Sequence, residues 1–469
     1  MTFVQAEFLA FFAIVYSLYW GLAERRKQNM LLAVVSAIFY GWIHPWFLLL
    51  LYGSAVCDYL CGLGMKANPQ NKGRYLIVSM CVNLGMLGYF KYVDFFITNV
   101  ITAMSALGLE TNMHTMGVFL PVGISFYTFQ TMSYTIDIYR GQLEARSDFL
   151  DYVVFVSFFP QLVAGPVERA SRLLPQFEAD RVFVWDAMRT GLGLAMWGAF
   201  KKICIADTIA PYVDKVFILK DPAGPLIWVG ALGFTIQILA DFSGYTDIAR
   251  GIARMLGIEL IENFKNPYIA TNPSDFWKRW HVSFSTWIRD YLYIPLGGSR
   301  GGALSRYKAT FGAMLLSGLW HGASWTFVLW GAYHACLISV YRPVMKRIPD
   351  SIRNSSAGHV AAIALMFAFT VFGWLIFRET HFDRLVSHLS TNPFSASPDE
   401  WVAASALMAV CVLCAIPSCF KLAWEKQVTP RLEGSPWALP LQTTSWAVIA
   451  VCCFVFFRAS TTDFIYFQF

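Results

Sequence analysis

Stretches of about 20 mostly apolar residues recur along the whole 469-residue sequence, and each is long enough to cross a bilayer as a helix. Few other folds are open to such a chain. Charged residues are only 14% of it, against about 25% in soluble globular proteins, which excludes an ordinary soluble enzyme. The expected class is all-α: a polytopic membrane helical bundle of about twelve spans, with re-entrant or interfacial helices and a central tunnel. A soluble chain of this length would divide into two or three domains. Here one continuous membrane domain over 1–469 is expected, with N-terminal spans in 1–115, an irregular core in 116–340 and C-terminal spans in 341–469.

The stretch Phe3 to Trp20 has neither a preceding basic region nor a following small-residue cleavage site, so it reads as the first span. Lys and Arg mark the cytoplasmic loops. Arg25, Arg26 and Lys27 place the next loop inside and the N-terminus outside, and the turn at His44-Pro45, free of both residue types, lies outside. Lys66, Lys72 and Arg74 mark a second inside loop, and Arg342, Lys346, Arg347 and Arg353 a later one. Spans are expected from about His359 to Phe377, from Trp401, and from about Thr443 to Phe457, which puts both termini on the outer face. The net charge of +6 is modest and gives no sign of a nucleic-acid partner. The ten cysteines lie mostly in apolar runs and read as small buried hydrophobes, including the Cys411/Cys414 pair.

Between residues 140 and 340 the apolar runs are broken by Gly, Pro and charges, and 261–308 alternates aromatic and basic residues. Irregular backbone survives at membrane depth only where protein buries it or water reaches it, so a funnel or tunnel belongs here. His321 sits in Ser317-Gly318-Leu319-Trp320-His321-Gly322-Ala323-Ser324-Trp325, and His281 ends Asp275-Phe276-Trp277-Lys278-Arg279-Trp280-His281. Charged groups within a span cost roughly 2.5–3.5 kcal/mol, whereas a neutral histidine costs less and serves as a base near pH 7. On spacing alone a structural and a catalytic histidine are equally supported, and the small neighbours suit close helix packing or space for a substrate. His334 reads more as a structural histidine. Asp241, Tyr245 and Asp247 fall in a mostly apolar run, and buried carboxylates there must meet Arg, Lys or backbone donors. The basic residues Lys201, Lys202, Arg250, Arg254, Lys265, Lys278 and Arg279 suit either a phosphate-rich donor or the ordinary positive-inside bias.

Several strings together resemble the membrane-bound O-acyltransferase family: Leu120-Pro121-Val122-Gly123-Ile124-Ser125-Phe126-Tyr127-Thr128-Phe129-Gln130, Val163-Ala164-Gly165-Pro166, Asp241-Phe242-Ser243-Gly244-Tyr245, Phe276-Trp277-Lys278-Arg279-Trp280-His281 and Leu319-Trp320-His321-Gly322. The branch most alike holds the membrane subunits of bacterial alginate O-acetylation, with peptidoglycan and D-alanyl transfer proteins as relatives. The resemblance implies His321 as the catalytic base deep in a tunnel and His281 as a second functional position. It further implies acetyl-CoA as a cytoplasmic donor, with Lys278, Arg279 and Trp280 as candidates to hold it, and Asp241, Tyr245, Asp247 and Trp320 in support. A secreted polysaccharide is the implied acceptor, a periplasmic esterase-like O-acetyltransferase the implied partner, and the bacterial inner membrane the implied location. No metal and no permanently bound cofactor are expected.

The sequence ends Phe464-Ile465-Tyr466-Phe467-Gln468-Phe469, which suits an aromatic anchor at the membrane interface. This ending also resembles the tyrosine motif of envelope acylation systems, which makes Tyr466 a candidate acyl carrier, since a phenol of pKa about 10 leaves more readily than an aliphatic alcohol. Two other classes fit a tunnel with intramembrane polar groups: a transporter of an acylated molecule and a non-catalytic scaffold. A transporter calls for inverted repeats, and the sequence shows no such symmetry.

Overall fold

The computed structural model describes residues 1–42, 44–162, 165–432, 434–458 and 465. All regular elements among them are helical. Six helices are long and apolar enough to cross a membrane: Phe47–Ala67, Pro69–Ala106, Gly224–Met255, Ser356–Arg378, Pro398–Gln427 and Ala438–Phe456. Ala6–Gly21 is apolar but shorter. The chain is therefore a multi-pass membrane helical bundle. The number is below the roughly twelve crossings expected from the sequence, because several further helices are shorter or more polar. Arg25–Gly41 opens on three basic residues, and Ile124–Tyr139 buries Thr128, Gln130, Thr131 and Asp137. Such helices bury polar residues against protein, and hydropathy alone undervalues them.

The chain forms two compact units, one from Met1–Gly191 with Ala249–Glu262, the other from Leu192–Ile248 with Asn263–Phe469. Within the first, Phe8, Phe39 and Phe159 meet edge-on or tilted at 5.6–6.5 Å between centroids. A polar network is buried in the same unit. Asn83 Nδ2 donates to Asp58 Oδ2 at 2.8 Å, while Asn83 Oδ1 accepts from Ser54 Oγ at 2.8 Å and Thr131 Oγ1 at 3.1 Å.

Two close helix crossings organise the second unit. A Cβ at Gly198 would lie 2.6 Å from Gly244 O, and one at Gly244 would lie 2.9 Å from Gly198 O, so only glycine permits the approach. That crossing brings Lys201 and Lys202, in a short π-helical stretch, onto the face of Gly224–Met255 that carries Asp241, Ser243 and Asp247. The second crossing lies in a helical hairpin. A Cβ at Gly318 would fall 2.1 Å from Phe327 O, and one at Gly331 would fall 2.3 Å from Met314 O.

Candidate active site

His321 is the last residue of the helix Gly302–His321, and Gly322 leaves it in an extended conformation. Ser324 then caps Trp325–Met345: its Oγ accepts the Thr326 N–H at 3.3 Å and donates to Thr380 O at 2.9 Å. The hairpin turn thus carries the histidine. Gly318 and Gly331 serve the packing of the two arms.

His281 is held by its backbone. Its φ of 43° is left-handed, and among the described residues only Asn266 is another non-glycine with positive φ. Asn263 fixes this geometry. Its backbone carbonyl accepts the Val282 N–H at 3.0 Å, and its Oδ1 accepts the Ser283 N–H at 3.1 Å and hydroxyl at 2.6 Å. These bonds satisfy the first donors of the helix Val282–Ile288, which lack partners within the helix itself. The strain at His281 is therefore over-determined by neighbouring contacts, as strained backbone at functional sites is.

The two histidines, forty residues apart in sequence, share one aromatic box. Phe284 lies 5.0 Å from the His281 ring and 5.3 Å from the His321 ring, and Trp320 lies 6.4 Å and 5.0 Å from them. Phe284 and Trp320 stack on each other at 4.3 Å. Trp330 contacts His321 at 5.1 Å and His334 at 4.7 Å, so the third histidine belongs to the same cluster. His281, His321 and His334 are all buried.

Where the sequence asked for a tunnel, the structure has a cleft of about 380 Å³ in the second unit. Lys278, Arg289, Arg306 and Arg342 line it, and among the described residues no carboxylate does. Arg289 is joined to Asp290 at 2.7 Å, and this hydrogen bond holds its guanidinium above the usual basic range. The lining also includes Phe284 and Ser317, one turn before His321. Phe284 is therefore the wall between the cationic cleft and the histidine box. Of the three residues expected to hold the donor, only Lys278 is placed on the cleft. Arg279 pairs with Asp275 at 2.8 Å, and Trp280 is fully buried against Phe276 and Trp374. Trp280 ends the helix Pro273–Arg279 in an extended conformation, which turns it into the core.

Asp241 and Asp247 have found cations, as buried carboxylates require. Lys202 Nζ lies 2.8 Å from both Asp241 Oδ1 and Asp207 Oδ1, and its ammonium stands 5.4 Å over the Tyr245 ring. Lys201 Nζ binds Asp247 at 2.7 Å and Ser243 Oγ at 2.8 Å. Both lysines are buried in these pairs. Tyr466, with Val163 and Ala164 of the Val-Ala-Gly-Pro string, lies outside the described residues. Sequence reading missed Asn263 and Phe284, as well as Arg289 and Arg306. Nothing in their local sequence sets them apart. Arg342 was read only as a marker of an inside loop.

The sequence model of the membrane-bound O-acyltransferase family matches residues 140–382, a span that contains the histidine box and most of the cleft. The chain belongs to the membrane-bound O-acyltransferase family. It is an O-acyltransferase by that membership. Over 385 residues it is 42% identical to the probable alginate O-acetylase AlgI of Pseudomonas syringae pv. tomato, covering 81% of this chain and 72% of the relative. It is 35% identical over 384 residues to the peptidoglycan O-acetyltransferase of Helicobacter pylori, covering 75% and 71%. A more distant relative is the teichoic acid D-alanyltransferase of Bacillus subtilis, 30% identical over 282 residues, covering 55% and 68%.

Proposed function

We propose that this acyltransferase takes acetyl groups from acetyl-CoA on the cytoplasmic side and passes them outward for O-acetylation of an exported, alginate-like polysaccharide, with His321 as general base. The observation that carries the reading is the cationic cleft whose wall, Phe284, touches His321. Four cations suit the phosphates of a coenzyme A thioester, since charge-assisted bonds to phosphate are the strong ones. Arg342 lies in the last turn of Trp325–Met345, at the start of a Lys/Arg-rich stretch of the kind that stays cytoplasmic, which fits a donor entering there.

The chemistry needs little else. An acceptor hydroxyl attacks the thioester carbonyl carbon while its proton passes to an imidazole nitrogen of His321. The carbon–sulfur bond breaks, and the departing thiolate takes up a proton to leave as free thiol. General-base help of this kind contributes roughly 10²–10⁴-fold, and fixed positioning adds to it. The names of the relatives favour acetyl over D-alanyl transfer and a polysaccharide as final acceptor. In this reading the protein lies in the bacterial inner membrane with both termini periplasmic and hands acetyl to a periplasmic esterase-like enzyme. Tyr466 is the proposed intermediate carrier.

Labelled acetyl-CoA supplied to the cytoplasmic face of proteoliposomes, with the periplasmic partner outside, tests this. The parent should transfer label, and His321→Ala should lose at least about 100-fold while remaining folded. Equal transfer by both would make His321 structural and bring a scaffold role forward. Label crossing the membrane without ester formation would indicate transport. Tyr466→Phe keeps the ring and removes the nucleophile, so unchanged transfer by that variant would remove Tyr466 from the path.

A further inference from the structure

Cations are not the only polar groups of the cleft. Trp277 and Ser339 also line it, and Trp277 Nε1 and Ser339 Oγ are buried atoms with no hydrogen-bond partner among the described residues. Leaving a buried donor unsatisfied costs about 1–3 kcal/mol, so two of them in one cleft call for a reason. They come from different helices, Pro273–Arg279 and Trp325–Met345, so no single distorted turn accounts for both.

The two donors lie inward of the charges. Lys278, beside Trp277 in sequence, and Arg342, one turn after Ser339, are exposed. The Trp277 ring instead meets Trp330 at 5.8 Å and His334 at 5.1 Å, against the histidine cluster. The cleft is thus graded, with cations on its exposed side and neutral donors buried beside the aromatic rings. An indole N–H only donates, whereas a hydroxyl donates or accepts. A secondary amide, with its C=O and N–H, satisfies both. Phosphate suits the cations, and a charged group is costly to bury beside neutral donors alone. A phosphopantetheine thioester carries its groups in this order: phosphate, then amides, then the acyl-bearing sulfur.

We infer that Trp277 Nε1 and Ser339 Oγ form a subsite for the amides of a phosphopantetheine arm, which makes the cleft selective for pantetheine thioesters over other activated acyl groups. Neither side chain touches the reacting atoms. The place of this subsite in the reaction rests on the acetyl-CoA reading, whereas binding tests the subsite by itself.

Full-length protein in detergent is titrated calorimetrically with CoA, with phosphopantetheine, and with adenosine 3′,5′-bisphosphate, which has phosphates but no arm. Ser339→Ala removes the hydroxyl with little change of volume, and Trp277→Phe removes the N–H while keeping an aromatic ring. Each should weaken CoA and phosphopantetheine about 3- to 10-fold, as loss of one neutral hydrogen bond does, and leave the bisphosphate unchanged. Without ligand, Ser339→Ala should unfold at the parent midpoint or above it, because it deletes a donor that the fold leaves unsatisfied. A side chain that only supports the fold would lower the midpoint. Unchanged phosphopantetheine binding in both variants, or equal weakening of all three probes, would overturn the subsite. So would a parent that binds the bisphosphate as tightly as CoA.

The functional reading fails separately. Phosphopantetheine binding by a parent that transfers no acetyl would sink that reading and leave the subsite standing. CoA binding no tighter than phosphopantetheine would assign the arm to a carrier protein, which keeps the subsite and removes the free coenzyme as donor. A parent that binds none of the probes would overturn both.

Discussion

Asp58 in the first unit and Asp241 in the second are both buried carboxyls on membrane-length helices, in different company. Asp58 meets the Asn83 amide, which in turn binds Ser54 and Thr131, and among the described residues no Lys or Arg forms an ion pair with it. Asp241 meets an ammonium and a backbone N–H from a distant part of the sequence. Side-chain hydrogen bonds between membrane helices average only about 0.6 kcal/mol. They fasten helices that packing already brings together. A buried ion pair costs much to assemble and more to break, so it belongs where removing one partner must matter. Asp58 is thus tied into a hydrogen-bonded network of the first unit, whereas Asp241 sits in an ion-pair cluster of the second, which also gathers three buried histidines and their aromatic rings.

The sharpest attack on this contrast is to neutralise both aspartates. Asp241→Ala leaves Lys202 with one carboxylate fewer and should cost about 3–5 kcal/mol of stability, seen as a fall in the detergent unfolding midpoint. Asp58→Asn keeps shape and an acceptor and should cost about 1 kcal/mol or less by the same assay, with transfer unchanged. Equal losses would erase the distinction. A smaller effect is expected at the cleft: Lys278→Ala or Arg306→Ala should raise the KM for acetyl-CoA about 10- to 100-fold, as loss of a charged hydrogen bond does, and leave the unfolding midpoint in place. The mildest test compares two glycines. Gly331→Ala forces a Cβ to 2.3 Å from Met314 O and should cost about 1–3 kcal/mol, whereas Gly85→Ala in the first unit meets open space and should change stability by less than about 1 kcal/mol.

These contrasts also show what a sequence can carry. The pairing of Asp241 and Asp247 with lysines was legible because a buried carboxylate needs a cation whatever the fold. The setting of His321, a histidine among small and aromatic residues, is local and so could be seen in the sequence. The turn at His44-Pro45 likewise falls between Arg25–Gly41 and Phe47–Ala67. The cleft was not legible. Lys278, Arg306 and Arg342 come from three helices, and no periodicity announces which faces will meet. Of the run Lys278-Arg279-Trp280, Arg279 pairs with Asp275 and Trp280 packs against Phe276 and Trp374, and only Lys278 lines the cleft. The partner of Asp241's second oxygen lies 224 positions away. Nothing near either residue points to the other.

His281 is under opposed demands. Its backbone sits where an L-residue with a full side chain pays roughly 1–2 kcal/mol, and where Gly or Asn fits with less strain. Its ring packs against Phe284 and Trp320 of the box around His321, and in the proposed function that ring is needed. A population of variants selected only for folding should therefore drift at this position toward Gly or Asn. One selected for transfer should keep histidine at the expense of robustness. The residue frequencies at position 281 after each selection would record, in one number, how strongly activity outweighs stability there.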